Sequence, residues 1–226
     1  MSSKQQPPVI TTALRKSMIH VPEIIEKESS GISVYGKLIK SIVFSTDVAI
    51  IKNCNADAII AVYPFTPNPA ITQAIFSVAE VPVFCGIGGG ITAGIRSANV
   101  ALHAEFQGAA GVVLNAPTTI ETIELVAKTV DIPIVLTVAS NNTNIQEKLD
   151  AGVQILNVSG GANTAKIVAN IRKNYPNVPI IATGGSAPEH IEETIHAGAN
   201  SITYTPPTNG ELFRELMEKY RKAENK

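Results

Sequence analysis

The feature that most constrains this chain is a repeat in which a proline precedes a short apolar run. Pro82, Pro133 and Pro179 each open such a run, and they lie 51 and 46 residues apart. Between these runs, a glycine recurs at the end of each helix-like stretch. A repeat of this period indicates repeated supersecondary units, and two strand–helix units fill one period. The chain is therefore predicted to form a parallel sheet with helices outside it.

The repeat also predicts the number of strands. Reading back from the C-terminus, the apolar runs are Ser201–Thr205, Ile180–Thr183, Gln154–Val158, Ile134–Ala139, Val112–Asn115, Val83–Gly86, Ala58–Tyr63 and Ile42–Ser45. Eight strand–helix units within residues 41–226 predict an α/β protein with a single (β/α)₈ TIM barrel. A ninth run, Pro8–Leu14, could replace Ile42–Ser45 as the first strand, but the repeat spacing favours the eight. Residues 1–40 are then an N-terminal extension, which we expect to cover the barrel bottom or to contact another subunit.

Composition excludes several classes of function. The net charge is −1 and charged residues make up only 16% of the chain, whereas a nucleic-acid surface needs clustered cations. No apolar run approaches the ~20 residues of a membrane span, and the N-terminus lacks the apolar core of a signal peptide. Cys54 and Cys85 fit a reducing compartment. We therefore expect a cytoplasmic protein without nucleic-acid or membrane partners, and the histidine and cysteine spacing predicts no metal site or cofactor.

Chemistry in such barrels takes place where strands end and the following loops begin. In this chain those segments contain amides and hydroxyls but almost no ionisable side chains. Asp47, after the first strand, is the one carboxylate among them and the one candidate general base. The other residues that we expect to contact a ligand are Tyr63, Gly88, Asn115, Asn157, Ser159, Thr183 and Tyr204. Such a surface suits hydrogen bonding to a polar ligand better than proton transfer.

Glycine-rich segments follow three of the predicted strands. The last of them enters a helix that Pro188 opens, a position that suits proline. Backbone N–H groups freed by glycine at a helix start can surround a phosphate, although such glycines can also serve only a tight turn. The predicted phosphate-binding residues are Gly160, Gly161, Gly184, Gly185 and Ser186. The remaining segment, Gly86–Gly90, matches neither a dinucleotide fingerprint nor a P-loop. It is either an open loop or a point of close backbone approach to a ligand.

The last quarter of the chain resembles a known group of barrels. The segment Ile180–Gly185, followed by Pro188–Ile191 and Ala197–Ala199, is similar to the closing part of the ribulose-phosphate-binding barrels. This superfamily includes thiamine-phosphate synthase, ketodeoxyphosphogluconate aldolase and indole-glycerol-phosphate synthase. The resemblance implies a phosphorylated ligand at the strand ends, with lyase or isomerase chemistry. This chain departs from the family after the eighth strand, where Tyr204–Pro207 replaces the usual Gly-Ser or Gly-Thr, and Asn157 lies at the strand end where the aldolases carry a lysine.

Two other functions stay open at this point. The layout is also similar to that of the glycerol-uptake operon antiterminator regulators, and a non-catalytic sensor would explain the shortage of ionisable groups. A scaffold subunit whose residues 1–40 bind a neighbour is the other alternative. The leading prediction is a site for a small phosphorylated metabolite or another anion, with lyase or isomerase activity if the protein is an enzyme. The sequence leaves a homo-oligomer open, and fold analogy alone does not decide function.

Overall fold

A short helix and a hairpin precede the barrel. The computed structural model describes residues 8, 10, 12–13, 18–185 and 187–224. Helix α1 (Glu23–Glu28) is followed by strands β1 (Ile32–Val34) and β2 (Lys37–Ile39), which pair in antiparallel fashion. Tyr35 and Gly36 connect them, and both have positive φ. That conformation is the one required by the tightest turn between two paired strands.

Eight parallel strands close into the barrel, in the order β3 to β10, with β10 pairing to β3. They are β3 (Ser41–Phe44), β4 (Ala58–Ala61), β5 (Val83–Gly88), β6 (Gly111–Leu114), β7 (Ile134–Val138), β8 (Ile155–Val158), β9 (Ile180–Gly185) and β10 (Ser201–Tyr204). The repeated prolines stand immediately before β5, β7 and β9. Proline has no N–H group to donate to a neighbouring strand, so it suits the point at which a strand begins. The carbonyls of Pro82, Pro133 and Pro179 accept backbone hydrogen bonds of 2.9–3.0 Å from the preceding strand.

The prediction of a single (β/α)₈ barrel is confirmed, with strand ends displaced by one or two residues. The first barrel strand is β3, which corresponds to the predicted run Ile42–Ser45. The barrel closes without Pro8–Leu14, a run that lies partly outside the described residues. Strands β5 and β9 are longer than predicted and run to Gly88 and Gly185. Gly184 and Gly185 therefore belong to the end of β9, two residues beyond the predicted strand end.

Helices follow the eight barrel strands and cover the outside of the sheet. They are α2 (Val48–Lys52), α3 (Pro69–Val78), α4 (Ile95–Phe106), α5 (Ile120–Ala127), α6 (Ile145–Asp150), α7 (Thr164–Asn174), α8 (Pro188–His196) and α9 (Asn209–Glu224). A 3₁₀ turn, Gly161–Asn163, precedes α7. Among the described residues, no helix is both long and apolar enough to cross a membrane.

The strands separate two apolar layers, because successive residues face opposite sides of a sheet. Ala182 of β9 belongs to the outer layer, which packs against the helices, while the preceding Ile181 belongs to the barrel interior. Ile39 of the hairpin also belongs to the interior cluster. The hydroxyl of Ser201, the first residue of β10, donates to the carbonyl of Ile39 at 2.7 Å. The hairpin therefore packs at the N-terminal ends of the strands, which leaves the opposite mouth open. The division into an extension, residues 1–40, and a barrel stays a prediction.

Candidate functional site

The floor of the barrel mouth is formed by one residue from each strand or strand end. In the sequence, this residue stands two positions after the last interior-facing residue below it. In the first half of the barrel, strands β3 to β6, these positions hold Phe44, Val62, Gly86 and Asn115. In the second half, strands β7 to β10, they hold Thr137, Asn157, Thr183 and Thr203, which we call the polar row. Side chains alternate along a strand, so these residues share the interior face. The first half thus offers mostly apolar surface to a ligand, and the second half offers hydroxyls and an amide.

Asn157 and Thr203 of the polar row are buried, Thr137 and Thr183 are half-buried, and the row is only partly hydrogen-bonded. Thr137 and Asn157 are partners across β7 and β8, and Thr183 and Thr203 are partners across β9 and β10. The Asn157 side chain is attached to its neighbour by one long hydrogen bond, from Nδ2 to Thr137 Oγ1 at 3.4 Å. Asn157 Oδ1 and Thr203 Oγ1 have no hydrogen-bond partner in the part of the chain that the structure describes.

The predicted ligand residues are divided between two clefts and do not form one site. The first cleft, with a volume of about 380 Å³, lies among the loops after β4, β5 and β6 and contains Tyr63, Gly88 and Asn115. The second cleft, of about 270 Å³, lies between the loops after β8 and β9 and the starts of α7 and α8. Its lining includes the predicted residues Ser159, Gly161, Thr183, Gly184 and Gly185.

In the first cleft, Gly88, the Asn115 backbone N–H and one acceptor site of the Tyr63 hydroxyl are engaged by contacts within the protein. A side chain at Gly88 would place its Cβ 2.5 Å from the Thr92 carbonyl oxygen, and one at Gly89 would place it 2.1 Å from Thr118 Oγ1. The Asn115 N–H donates to the Gly88 carbonyl at 2.8 Å. The hydroxyl of Tyr63 accepts the N–H of Asn68 in its own loop at 2.8 Å. These glycines are therefore required by close packing of the loops after β5 and β6.

In the second cleft, two glycines have open space beside them. Gly161 and Gly185 have φ of +58° and +68°, and apart from their chain neighbours no atom of the described residues lies within 4 Å of the position a Cβ would take. Gly184 and Gly160 differ. A Cβ on Gly184 would lie 2.8 Å from two outer-layer isoleucine side chains, and the N–H of Gly160 donates to Thr164 Oγ1 at 3.1 Å. Of the predicted phosphate-binding residues, Gly161 and Gly185 thus leave room for a ligand. Ser186 lies outside the described residues.

The helices that follow the glycine-rich segments begin differently from the others. The side chains of Asp47, Asn68, Thr119 and Asn144 accept backbone N–H groups at the starts of α2, α3, α5 and α6. No side-chain cap is present at the starts of α4, α7 and α8, which follow β5, β8 and β9. The first N–H groups of a helix have no partner within the helix. Before α7, the 3₁₀ turn supplies partners for the N–H groups of Asn163 and Thr164, so the donors left for other acceptors there are those at the start of this turn, beside Gly161.

Asp47, the predicted catalytic base, has both carboxylate oxygens engaged. Oδ1 accepts the N–H groups of Ala49 and Ile50 at 2.9 and 3.3 Å, and Oδ2 accepts a hydrogen bond from Asn209 Nδ2 at 2.6 Å. This is the arrangement of a helix N-cap that also connects α2 to the start of α9. Within the described residues no group of three or more His, Cys, Asp or Glu side chains could hold a metal ion.

Tyr204 and Asn157 lie outside both clefts. Tyr204 follows the interior-facing Thr203 and packs on the outer core, where burial raises the pKa of its hydroxyl. Successive side chains of a strand lie on opposite faces of the sheet, so the Tyr204 side chain lies on the helix side of the barrel wall and the predicted ligand contact would need the other side. Thr137 and Thr203 of the polar row were not identified from the sequence. For Thr137 the available signal was a lone polar residue in an apolar strand, two positions beyond Val135 of the apolar core. Thr203 follows Ser201 at the same spacing and offered no such signal.

Two charged side chains of α8 contribute to the second cleft. His190 and Glu193 line it beside the glycines, with the histidine Nδ1 3.9 Å from a Glu193 oxygen. Both side chains are largely exposed, so their fields are screened by water. They were identified from the sequence only as part of a surface helix, and the strand–helix packing brings them to the rim of the cleft.

Comparison with known proteins supports the fold. The sequence matches no protein-family model and no curated protein significantly. Solved structures with the same architecture include 2,3-dimethylmalate lyase, described as a PEP mutase/isocitrate lyase superfamily member (16% identity, 95% of this chain and 89% of that chain, TM-score 0.63). They also include phosphonopyruvate hydrolase in complex with oxalate and Mg²⁺ (14% identity, 84% of this chain and 82% of that chain, TM-score 0.63). A third is QR15, an aldolase (17% identity, 76% of this chain and 91% of that chain, TM-score 0.56). The first belongs to a different branch from the ribulose-phosphate-binding group, so the barrel is confirmed and the finer resemblance is not.

Proposed function

We propose that this barrel binds a small anionic metabolite, such as a phosphate ester, in the second cleft. The observation that carries the proposal is the open space beside Gly161 and Gly185. In both residues the left-handed backbone is combined with open space among the described residues, as it also is at Gly94 before α4, whereas Gly88 of the first cleft and the next residue, Gly89, are packed against protein. A backbone that is accessible on the cleft side can bring its N–H groups close to an anion.

The helix starts around this cleft favour an anion over a neutral group. Helices α7 and α8 both begin there without a side-chain cap. Their free N–H groups and the positive end of the helix dipole attract negative charge. The carboxylate of Glu193 lines the same cleft and opposes this attraction, but the nearby imidazole of His190 offsets it when protonated. An anion bound there would replace the missing caps.

Lyase or isomerase chemistry is the reaction class that we propose for such a ligand. Structural neighbours are described as a lyase, a hydrolase and an aldolase, and these names suggest the class for this chain. The proposal includes no metal ion, and the described residues contain no group of three or more His, Cys, Asp or Glu side chains that could hold one. Asp47 remains the candidate base in this proposal. The three hydrogen bonds that its carboxylate accepts leave one of about four lone-pair sites, on Oδ2, for a proton.

A non-catalytic sensor barrel is the second candidate, and the geometry of Asp47 favours it. Both oxygens of the one carboxylate predicted for the mouth support local structure. The polar row and Gly161 and Gly185 can bind a ligand without any proton transfer. Binding of an anion is common to the two candidates, so it is the property to test first. A cytoplasmic location and assembly into a homo-oligomer remain predictions.

Titration with inorganic phosphate, followed by amide chemical shifts, tests the anion site. We expect the largest shifts at Gly161 and Gly185 and none at Gly88. Gly185→Ala should lose these shifts, because the added methyl group fills the open space. Gly36→Ala is the matched control, since Gly36 has φ of +79° and open space at the other end of the barrel. Phosphate that moves neither Gly161 nor Gly185 at millimolar concentration would contradict the proposal.

A further inference from the structure

Helix α9 is the longest helix of the described residues, and only its first turn is attached to the barrel. No residue of α9 is buried. Leu212 packs on the outer apolar layer, and Asn209 donates its hydrogen bond to Asp47. Beyond this turn, four large apolar side chains are between 40% and 64% exposed, namely Phe213, Leu216, Met217 and Tyr220. We call these four residues the α9 stripe. A helix of a globular protein normally buries its apolar face, and α9 does not.

The N-terminal segment explains why this face is free. The helices of a (β/α)₈ barrel form a closed outer ring, and here α1 fills the last part of the ring. Ile25 of α1 is fully buried in the outer apolar layer. Helix α1 packs against α8, where Glu28 lies 3.0 Å from the imidazole of His196. On the other side, Ile19 pairs with Cys54, between α2 and β4. The barrel wall is thus covered without the α9 stripe.

The spacing of the α9 stripe suits packing against another helix. Phe213, Leu216 and Tyr220 follow one another at intervals of three and four residues, and Met217 lies beside them. Residues at these intervals form the seam along which two helices pack at a small crossing angle. The apolar area that they expose is on the order of several hundred Å², a size that marks an interaction surface on a soluble protein.

The charges of α9 identify the partner that fits this seam. Residues 209–218 carry three glutamates and one arginine, whereas residues 219–224 carry three cations and one glutamate. This order suits the dipole of the helix itself. It also makes the helix complementary to an antiparallel copy of itself, because the acidic half of each copy lies opposite the basic half of the other. A parallel pair would place halves of like charge side by side, which is unfavourable.

We infer that α9 is a dimerisation helix, whose stripe packs in antiparallel orientation against the α9 stripe of a second copy of this chain. A twofold axis makes the same residues meet on both sides of such a contact, so the surface has to be self-complementary. The α9 stripe meets this requirement in its apolar seam and in its charges. The inference goes beyond the anion site and does not depend on it, since no residue of α9 lines either cleft.

Analytical ultracentrifugation of the full chain tests the inference. The unaltered protein should sediment at twice the mass of one chain at micromolar concentration. Leu216→Glu should raise the dissociation constant of the dimer by at least ~10²-fold, because each copy would bury a carboxylate in the seam without a partner. Phe106→Glu is the matched control. Phe106 is 79% exposed at the end of α4, away from the mouth where α9 begins, so this variant should stay a dimer.

Charge exchange tests the antiparallel orientation. Glu215→Lys combined with Glu218→Lys makes both halves of α9 basic, and Lys219→Glu combined with Lys222→Glu makes both halves acidic. Each double variant alone should dimerise about 10-fold more weakly, because like charges then lie opposite each other. An equimolar mixture of the two should recover the dimer. In a parallel pair the unaltered halves already repel, so undiminished dimerisation of both double variants would contradict the antiparallel arrangement.

Two results would overturn the inference as a whole. One is an unaltered protein that sediments as a single chain at micromolar concentration. The other is a dimer that Leu216→Glu leaves intact, since the contact would then lie elsewhere. Thermal unfolding of Leu216→Glu separates a further case. A single-chain protein whose melting temperature falls with this substitution would show that the α9 stripe is covered by the chain's own residues and not by a second copy.

Discussion

The two halves of the barrel mouth are built from the same kind of strand but differ in what they leave free. Strands β5 and β9 are both six residues long, and their residues show the same order of buried and half-buried positions. Beyond β5, Gly88 and Gly89 are closed in by Thr92, Thr118 and the backbone of Asn115. Beyond β8 and β9, Gly161 and Gly185 have the same left-handed backbone but no neighbouring atoms.

This difference shows that a glycine-rich strand end has two separate uses in one molecule. In the first half, glycine permits two loops to pack closely, and the floor is apolar at Phe44 and Val62. In the second half, glycine leaves accessible backbone above a floor of hydroxyl and amide groups. A ligand that binds across the mouth would therefore place its polar groups on the second half. The predictions below test this division, beginning with the largest expected effect.

The largest effect is expected from adding a methyl group to a glycine of each half. Gly89→Ala should destabilise the protein by about 4 kcal/mol. The alanine would be strained by the positive φ at this position, and its Cβ would clash with Thr118 Oγ1 and the Asn115 backbone nitrogen. Gly185→Ala should cost only about 1–2 kcal/mol, since the strain of the left-handed backbone is not accompanied by a clash. Urea unfolding of both variants measures the two losses. Equal losses would remove the distinction between the halves.

The next effect concerns Asp47, the carboxylate of the first half. Asp47→Asn should keep the stability within about 0.5 kcal/mol, because asparagine caps a helix as well as aspartate does. If Asp47 is a general base, turnover of a substrate found by screening anionic metabolites should fall ~10²-fold. Stopped-assay turnover and denaturant unfolding of the same preparation separate the two roles. Unchanged turnover would leave the first half with a structural role only.

The smallest effect concerns Cys85 in β5, whose counterpart in β9 is Ala182. Burial raises the pKa of the Cys85 thiol from 9.0 to about 12. The folded protein holds this proton more tightly than the unfolded chain, so the contribution to stability is complete below pH 9 and is lost as the pH rises towards 12. Between pH 8 and pH 10 we expect a loss of about 1 kcal/mol from this group.

Chemical unfolding of the unaltered protein and of Cys85→Ala at the two pH values measures this loss, because the contributions of the other groups cancel in the difference. Cys54→Ala serves as the control, since that thiol is only half-buried. The same pH dependence in the unaltered protein and Cys85→Ala would show that the Cys85 thiol is not shielded from water in the folded state.

Much of the fold could be predicted because each strand–helix unit carries its own signals. The prolines at strand starts and the apolar runs are local features, and they were enough to identify eight strands and their order. The strand ends at Gly88 and Gly185 were less predictable, since glycine is compatible with either a strand end or a turn. The hydrogen bond of Asp47 to Asn209 could not be predicted, because Asn209 lies far along the chain. The packing of Tyr204 on the outer core could not be predicted either, because it depends on a one-residue difference in register.

The sequence by itself determined the repeated units, the number of strands and the shortage of ionisable groups near their C-terminal ends. Only the tertiary structure decided which glycines face open space and which polar residues meet inside the barrel. Gly89 and Gly185 are the same residue with the same sign of φ, and nothing local separates them. Closure of the barrel brings the loops after β5 and β6 into contact and leaves a cleft between those after β8 and β9. It also brings Thr137, Asn157 and Thr203 onto one interior face. Side chains alternate along every strand, but which of them share a face is decided only when the strands pair in register.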